Sequence, residues 1–115
     1  WDMVVVPGAE GDFGVLVGHA PLISSLRPGV IDTYNGGTVA DRIFVAGGFA
    51  EVTGERCTVL AEEAIPVKDI DSANAEERLK VAKEAISGAD NDTLRNAAEI
   101  ELTVAEAMLA AGRAA

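Results

Sequence analysis

The 115-residue sequence predicts an N-terminal antiparallel β-sandwich followed by a C-terminal antiparallel two-helix hairpin. The first observation is that 10 of the 12 glycines and all four prolines lie before residue 68. The second is that the hydrophobic period changes from about 2 to about 3.6 residues near the same position. We therefore expect a β-sandwich domain over residues 1–67 and a helical arm over residues 68–115.

The first part contains short β-prone runs that are separated by turn signals every few residues. Asn35-Gly36-Gly37 supplies positive φ between two such runs and predicts a hairpin, and Thr53-Gly54-Glu55-Arg56 indicates a further turn. The pattern predicts seven strands, over residues 3–6, 13–17, 22–26, 30–34, 38–45, 49–53 and 57–60. Many short antiparallel strands with glycine-rich corners favour a compact sandwich.

The second part carries the start and stop signals of two helices. Asp71 or Ser72 can cap a helix that runs to about residue 86, with Gly88 after its end. Asp90 or Asp92 begins a second helix, with Gly112 as its stop signal. The predicted inner stripes are Ala75, Leu79, Ala82 and Ile86 on the first helix, and Ala97, Ile100, Val104, Ala107 or Met108, and Ala111 on the second. Because alanine contributes little on burial, about 0.8 kcal/mol, we expect the arm to be detachable.

The formal net charge of -10 argues against binding to nucleic acid or to an anionic lipid surface. The single cysteine, Cys57, excludes an internal disulfide and favours a reducing compartment. No apolar run approaches the ~20 residues of a membrane span. We expect a soluble intracellular chain whose partners are proteins or cations. The chain begins at Trp1, so it is treated as a possible fragment of a longer protein.

Three candidate sites lack residues that their chemistry requires. The glycines from Gly8 to Gly14 lack the GK[ST] of a phosphate loop and enclose two acidic residues. The run that starts at Asp69 lacks the glycine and glutamate of a calcium loop. His19 is the only histidine and no GxSxG motif is present, so a turn or contact role is favoured over a small jelly-roll enzyme. We expect no catalytic residue, metal or cofactor.

The first glycine-rich loop nevertheless has the properties of a contact surface. Glu10 and Asp12 lie on a tip that glycines shape, and exposed loop acids are well placed to meet basic or polar groups of another protein. Such charges control the orientation and rate of encounter more than the affinity. A protein contact is therefore the favoured function of this loop.

Several motifs together resemble one family. They are Gly8–Gly14 followed by Gly18-His19-Ala20-Pro21-Leu22, then Leu26-Arg27-Pro28-Gly29, Gly47-Gly48-Phe49-Ala50-Glu51-Val52, and Thr58-Val59-Leu60-Ala61 with Ala64-Ile65. In order and spacing they resemble the epsilon subunit of bacterial F-type ATP synthase, the counterpart of the mitochondrial delta subunit. The resemblance covers nearly the whole chain and implies a β-sandwich followed by a two-helix hairpin.

The resemblance also implies a function and partners. It implies a non-catalytic subunit of the central rotor, without a cofactor, that links the gamma subunit to the c ring and couples proton flow to ATP synthesis. The implied c-ring contacts are Glu10, Gly11, Asp12 and Phe13, and the implied gamma-subunit contacts are His19, Ala20, Pro21 and Leu22. In many relatives the arm reaches the catalytic head of alpha and beta subunits and inhibits ATP hydrolysis.

The resemblance implies a place in the cell and one difference in architecture. The place is peripheral, on the cytoplasmic side of the bacterial inner membrane, or on the matrix side for an organellar homologue. Family members also have an N-terminal strand pair ahead of the segment that corresponds to residues 3–6, which this sequence lacks.

The start of the arm departs from the nucleotide-binding motif of some relatives. That motif is Ile or Leu, Asp, two variable residues, Arg and Ala, and here it reads Ile70, Asp71, Asn74 and Ala75 at the defining positions. Asn74 replaces the arginine, so the phosphates lose a guanidinium partner. We expect weak or absent ATP binding, and micromolar affinity in a calorimetric titration would contradict this.

The sequence also permits a second interpretation of its function. A β-sandwich adaptor of another intracellular complex would have the same composition and fold. Co-purification with gamma and c subunits distinguishes the two.

Overall fold

The computed structural model describes residues 2–16, 18, 21–53 and 56–114. In these residues eight strands precede two helices, which confirms the predicted fold class. The strands are β1 (Met3–Gly8), β2 (Gly11–Leu16), β3 (Leu22–Leu26), β4 (Gly29–Asn35), β5 (Thr38–Val45), β6 (Gly48–Val52), β7 (Cys57–Ala61) and β8 (Ala64–Pro66). A 3₁₀ turn (Val67–Asp69) leads into α1 (Ser72–Ser87) and α2 (Asp92–Arg113).

The strands pair antiparallel throughout, in the order β7-β6-β3-β1-β4-β5-β8, with β2 paired to β1. The β4–β5 hairpin turns through Gly36 and Gly37 at positive φ, as the sequence predicts. The sheet folds over itself around one apolar cluster, which we call the inner core. Its buried members are Val4, Val6, Leu26, Ile31, Val45 and Ala50.

Two strand predictions were wrong. Strand β8 was missed because it is three residues long and ends in Pro66, and pairing with β5 rather than β propensity holds it. Strand β2 was predicted to begin at Phe13 but begins at Gly11, so Gly11 and Asp12 belong to the strand and not to a loop. Pairing with β1 at every position from Met3 to Gly8 overrides the low strand propensity of its glycines.

The helix caps agree only in part with the predictions. Asp71 caps α1 as expected, and its carboxylate accepts hydrogen bonds from the N–H groups of Ala73 at 3.0 Å and Asn74 at 3.4 Å. The cap of α2 is Asn91, whose side chain accepts from Leu94 N–H at 2.9 Å, and not Asp90 or Asp92. Both residue types cap helices well, so sequence preference could not choose among three neighbours.

Gly112 does not stop the second helix, which continues to Arg113. A Cβ at Gly112 would lie 3.0 Å from Cγ2 of Ile70. The glycine therefore allows the end of α2 to pass close to the start of the arm, and its conformational freedom is not used.

A second apolar cluster, the outer core, joins the hairpin to the sandwich. It combines Phe44, Ala46 and Val67 with the helical residues Ala75, Val104, Met108, Leu109 and Ala111. Neighbouring residues of β5 thus serve both clusters, because Phe44 points to the outer core and Val45 to the inner core. The hairpin therefore docks on the sandwich in this structure.

The predicted inner stripe of α2 is wrong in its first half. Ala97 and Ile100 are exposed, whereas Ala98 is buried. The second half is correct at Val104, Met108 and Ala111. The first half fails because α2 meets only the alanine-rich face of α1 there, so no deep core forces its larger side chains inward.

Candidate interaction surface

The turn between β1 and β2 presents Glu10 to solvent. Backbone hydrogen bonds fix this turn to β3, because Ala9 N–H donates to the Ser25 carbonyl at 3.0 Å and Arg27 N–H donates to the Pro7 carbonyl at 2.9 Å. Glu10 makes no ion pair with any side chain that the structure describes. Backbone hydrogen bonds therefore hold the turn in place, and the turn carries one carboxylate, that of Glu10, without an ion-pair partner among the described residues.

The other predicted c-ring residues differ from one another in the structure. Gly11 and Asp12 are exposed, but Asp12 forms an ion pair with Arg27, so its charge is compensated. Phe13 is half-buried and packs against the inner core. A Cβ at Gly8 would lie 2.7 Å from Cε1 of Phe13, so this ring covers the glycine. The structure thus leaves Glu10 as the free charge of the group.

Two of the four predicted gamma-subunit residues, His19 and Ala20, lie outside the described residues. Pro21 is exposed and Leu22 is half-buried at the start of β3, where Leu22 pairs with Val52. The structure therefore places the second half of this segment at the edge of the β3–β6–β7 face.

The outward side of β3, β6 and β7 exposes three large apolar side chains, and we call this surface the outer face. Ile23 is 71%, Phe49 53% and Leu60 72% exposed. The strand register places Ser25, Phe49 and Leu60 in one cross-strand row, and Ile23, Glu51 and Thr58 in the next. Glu51 is the one charged residue of these six. A contiguous exposed apolar patch of this kind marks a protein contact.

The outer face joins the two predicted contact segments. A groove lined by Glu10, Phe13 and Ile23 runs from the first turn to β3, and a second groove lined by Pro21, Ile23 and Glu51 continues it. Ile23 belongs to both grooves. The acidic turn, the outer face and the Pro21 segment therefore form one continuous surface. The centre of this surface could not be predicted from the sequence, because Phe49 and Leu60 have the pattern of ordinary buried strand residues.

Most residues at the positions of the nucleotide-binding motif, which is incomplete in this chain, take part in packing or helix capping. Ile70 packs against the outer core, Asp71 caps α1, and Ala75 is fully buried in the outer core. Asn74 is exposed, and its N–H donates to the Asp71 carboxylate at 3.4 Å. These contacts explain the motif as a helix start.

An ionic site that the sequence did not indicate joins Arg78 to Glu63 and Glu101. The Arg78 guanidinium donates to both carboxylate oxygens of Glu63, at 2.9 and 2.7 Å, and lies 3.5 Å from Glu101. The hydrogen bond from Arg78 lowers the pKa of the Glu63 carboxyl, and the same bond raises the pKa of Arg78. Arg78 therefore ties α1 to the β7–β8 turn and to α2.

Replacing Arg78 by alanine is expected to cost about 1 kcal/mol of unfolding free energy at pH 7, because Glu63 is partly exposed. The folded-state pKa of Glu63 is lowered, so its contribution is present above the unfolded value of about 4.3 and is lost as pH falls through the folded value. Urea unfolding at pH 7 and pH 3 should show a smaller difference at pH 3. The control is Arg95→Ala, which removes an ion pair to Asp92 within α2. An equal effect from the control would contradict the bridging role.

No group of histidine, cysteine and acidic side chains able to hold a metal occurs among the described residues. In the same part of the chain, neither helix is both long and apolar enough to cross a membrane.

Burial raises the pKa of the Cys57 thiol, which packs against the inner core as a small apolar side chain.

Comparison with known proteins gives a consistent result for both parts of the chain. The family model for the β-sandwich domain of the ATP synthase delta/epsilon chain matches residues 1–67. The ATP synthase epsilon chain of Paramagnetospirillum magneticum is 60% identical over 110 residues, which cover 96% of this chain and 83% of that protein. The chain belongs to the ATP synthase epsilon chain family. The epsilon chain of Rhodospirillum rubrum is 52% identical and covers 96% of this chain and 82% of that protein.

Solved structures show that the fold of this epsilon chain is also similar to that of known ATP synthase chains. A chain in the cryo-EM structure of the Euglena gracilis mitochondrial ATP synthase has a TM-score of 0.76 at 31% identity, covering 95% of this chain and 68% of that chain. A chain of the Tetrahymena thermophila mitochondrial ATP synthase, in a structure of its central stalk and c ring, has a TM-score of 0.61 at 13% identity, covering 96% and 81%. The second likeness shows the shared fold.

Proposed function

We propose that this epsilon chain is a non-catalytic subunit of the central stalk of a rotary ATP synthase, where it links the gamma subunit to the ring of c subunits. The observation that carries the proposal is the similarity to epsilon chains over 96% of the chain, which includes both the sandwich and the hairpin. A rotor part has to transmit torque without yielding. Two buried cores on either side of β5 provide such a rigid body.

We assign the c-ring contact to Glu10, Gly11, Asp12 and Phe13. Glu10 supplies the free charge, while Arg27 holds Asp12 and the inner core holds Phe13. An exposed carboxylate on a rigid turn suits polar and basic groups of loops that face it. Phe13 lines the groove beside Glu10 and also fixes the turn by packing against the inner core.

We assign the gamma-subunit contact to His19, Ala20, Pro21 and Leu22 and extend it over the outer face. The exposed side chains of Ile23, Phe49 and Leu60 supply the apolar area that a stable protein contact requires. Both contacts lie on the sandwich, residues 1–67, so the arm, residues 68–115, stays available for a separate role at the catalytic head. In this arrangement the chain is peripheral to the membrane, and its bacterial relatives favour the cytoplasmic side of the inner membrane.

Co-isolation with the other subunits tests this proposal. A tagged chain is expected to retain the gamma subunit and the c ring, and Phe49→Asp should reduce retention of the gamma subunit by about tenfold because a carboxylate is then buried in an apolar contact. The matched control is Val39→Asp, which also replaces an exposed apolar strand residue but lies on β5. Failure of the unaltered chain to retain either partner would contradict the proposal.

The regulatory role of the arm has its own measurement. A complex containing the chain that ends at Lys68 is expected to hydrolyse ATP faster than one containing the full chain, because an inhibitory arm is then absent. Equal rates would show that the arm does not inhibit. The start of the arm is expected to bind ATP weakly or not at all, since Asn74 offers no guanidinium and Asp71 already caps α1.

A further inference from the structure

The half of the hairpin next to its loop has an open groove between the two helices. We propose that this groove is the docking site of a third amphipathic helix that carries an apolar stripe and a basic side chain. The groove has a volume of about 390 Å³. Its walls are Glu77, Val81 and Ala85 on α1, and Leu94, Ala97 and Glu101 on α2.

The spacing of these residues places them in one stripe on each helix. The α1 positions recur every four residues, and the α2 positions recur at three and four. The floor consists of the buried Ala82 and Ala98. Val81 and Leu94 are 52% and 53% exposed, although they flank this floor. The two helices therefore leave an apolar surface that their own contact does not cover.

A helix fits this groove better than an extended segment. The walls are helix side chains, so they offer no row of free backbone groups with which a strand could pair. A helical occupant satisfies its own backbone hydrogen bonds. From Glu77 to Ala85 the groove extends over nine residues, a rise of about 12 Å or two helical turns. The alanine floor allows an approach near the lower end of the usual 8–10 Å between helix axes.

The charges at one end of the groove indicate which charge the docking helix should carry. Glu77 makes no ion pair among the described residues. Glu101 is exposed and lies 3.5 Å from Arg78, which also lines the groove and whose guanidinium is already hydrogen-bonded twice to Glu63. Two incompletely compensated carboxylates favour a lysine or arginine on the occupant. A second copy of this chain, with a net charge of -10, is disfavoured by like-charge repulsion.

The small size of the contact further restricts the partner. Two helical turns bury much less than the roughly 1,000 Å² that an independent interface needs. The helix must therefore belong to a protein that is also held elsewhere on this chain. This inference rests on the proposed function, which supplies such partners through the outer face of the sandwich.

Site-specific photo-crosslinking in the assembled ATP synthase tests the inference. The photoreactive residue benzoylphenylalanine replaces Ala97 in the groove, and a matched variant carries it at Glu84, an exposed α1 residue outside the groove. Position 97 is expected to form a product with a helical segment of another subunit that contains a lysine or arginine. Position 84 is expected to give less than about a tenth of that yield.

A second substitution separates specific docking from mere proximity. Adding Leu94→Asp to the position-97 variant is expected to lower the yield about tenfold, because a charge then faces the apolar stripe. Assembly of the complex without a position-97 product, or a product with a non-helical segment or a second copy, would overturn this inference alone. Failure of the chain to join the complex would overturn the proposed function as well.

Discussion

Phe44→Ala is expected to lower the free energy of unfolding by about 3 to 5 kcal/mol, the largest effect of any single side-chain truncation in the sandwich. Phe44 is 0% exposed and lies in the outer core between β5 and the hairpin. Its removal leaves a cavity where Val104 and Met108 dock. Urea unfolding followed by circular dichroism measures the change. Amide exchange should rise more in α1 and α2 than in β1, because the hairpin loses its anchor.

The chain offers a control of the same residue type five positions later. Phe49→Ala removes the same atoms from a ring that is 53% exposed on the outer face, and it should cost less than about 1 kcal/mol. Its expected effect is on co-isolation of the gamma subunit, which Phe44→Ala at permissive temperature should not change. If Phe49→Ala destabilised the fold as much as Phe44→Ala, the assignment of the outer face as a free surface would be wrong.

Gly48→Ala is expected to destabilise the sandwich by about 3 kcal/mol or more, through backbone strain together with overpacking. Gly48 has φ of 120°, and a Cβ there would lie 2.1 Å from the Leu60 carbonyl oxygen. The clash is with the backbone of β7, which cannot move away without losing its pairing with β6. Thermal unfolding of the purified variant provides the measurement.

Gly36→Ala separates the clash from the backbone conformation. Gly36 also has positive φ, 59°, but no atom lies within 4 Å of the position that its Cβ would occupy. Its expected cost is about 1 kcal/mol, the penalty of the left-handed conformation alone. Equal costs for the two variants would mean that the clash with β7 at Gly48 adds no cost beyond that of the backbone conformation.

The parts of the fold that local chemistry determines could be predicted from the sequence. Asp71 caps α1 because its short carboxylate reaches the first free N–H groups, and Gly36-Gly37 turns a hairpin because both residues accept positive φ. Strand β8 could not be predicted, because only pairing with β5 makes it a strand. Gly112 does not stop the helix, because the absence of a side chain there allows close contact with Ile70.

The candidate surface could be predicted at its ends but not at its centre. The acidic turn at Glu10 stands out in the sequence by its glycines. Phe49 and Leu60 do not, because a strand sequence alone does not say which side of the sheet faces solvent. The bridge from Glu63 through Arg78 to Glu101 joins residues far apart in sequence and exists only once the hairpin folds back. The contact roles of His19 and Ala20 remain predictions.

ATP-driven proton pumping by the reconstituted complex tests the coupling role most directly. The measured quantity is the number of protons transported per ATP hydrolysed, with and without this chain. We predict that the unaltered chain restores pumping, that Val39→Asp restores it equally, and that Phe49→Asp does not, because gamma and the c ring are then no longer linked. Equal pumping per ATP in the presence and absence of the chain would contradict the proposed coupling role.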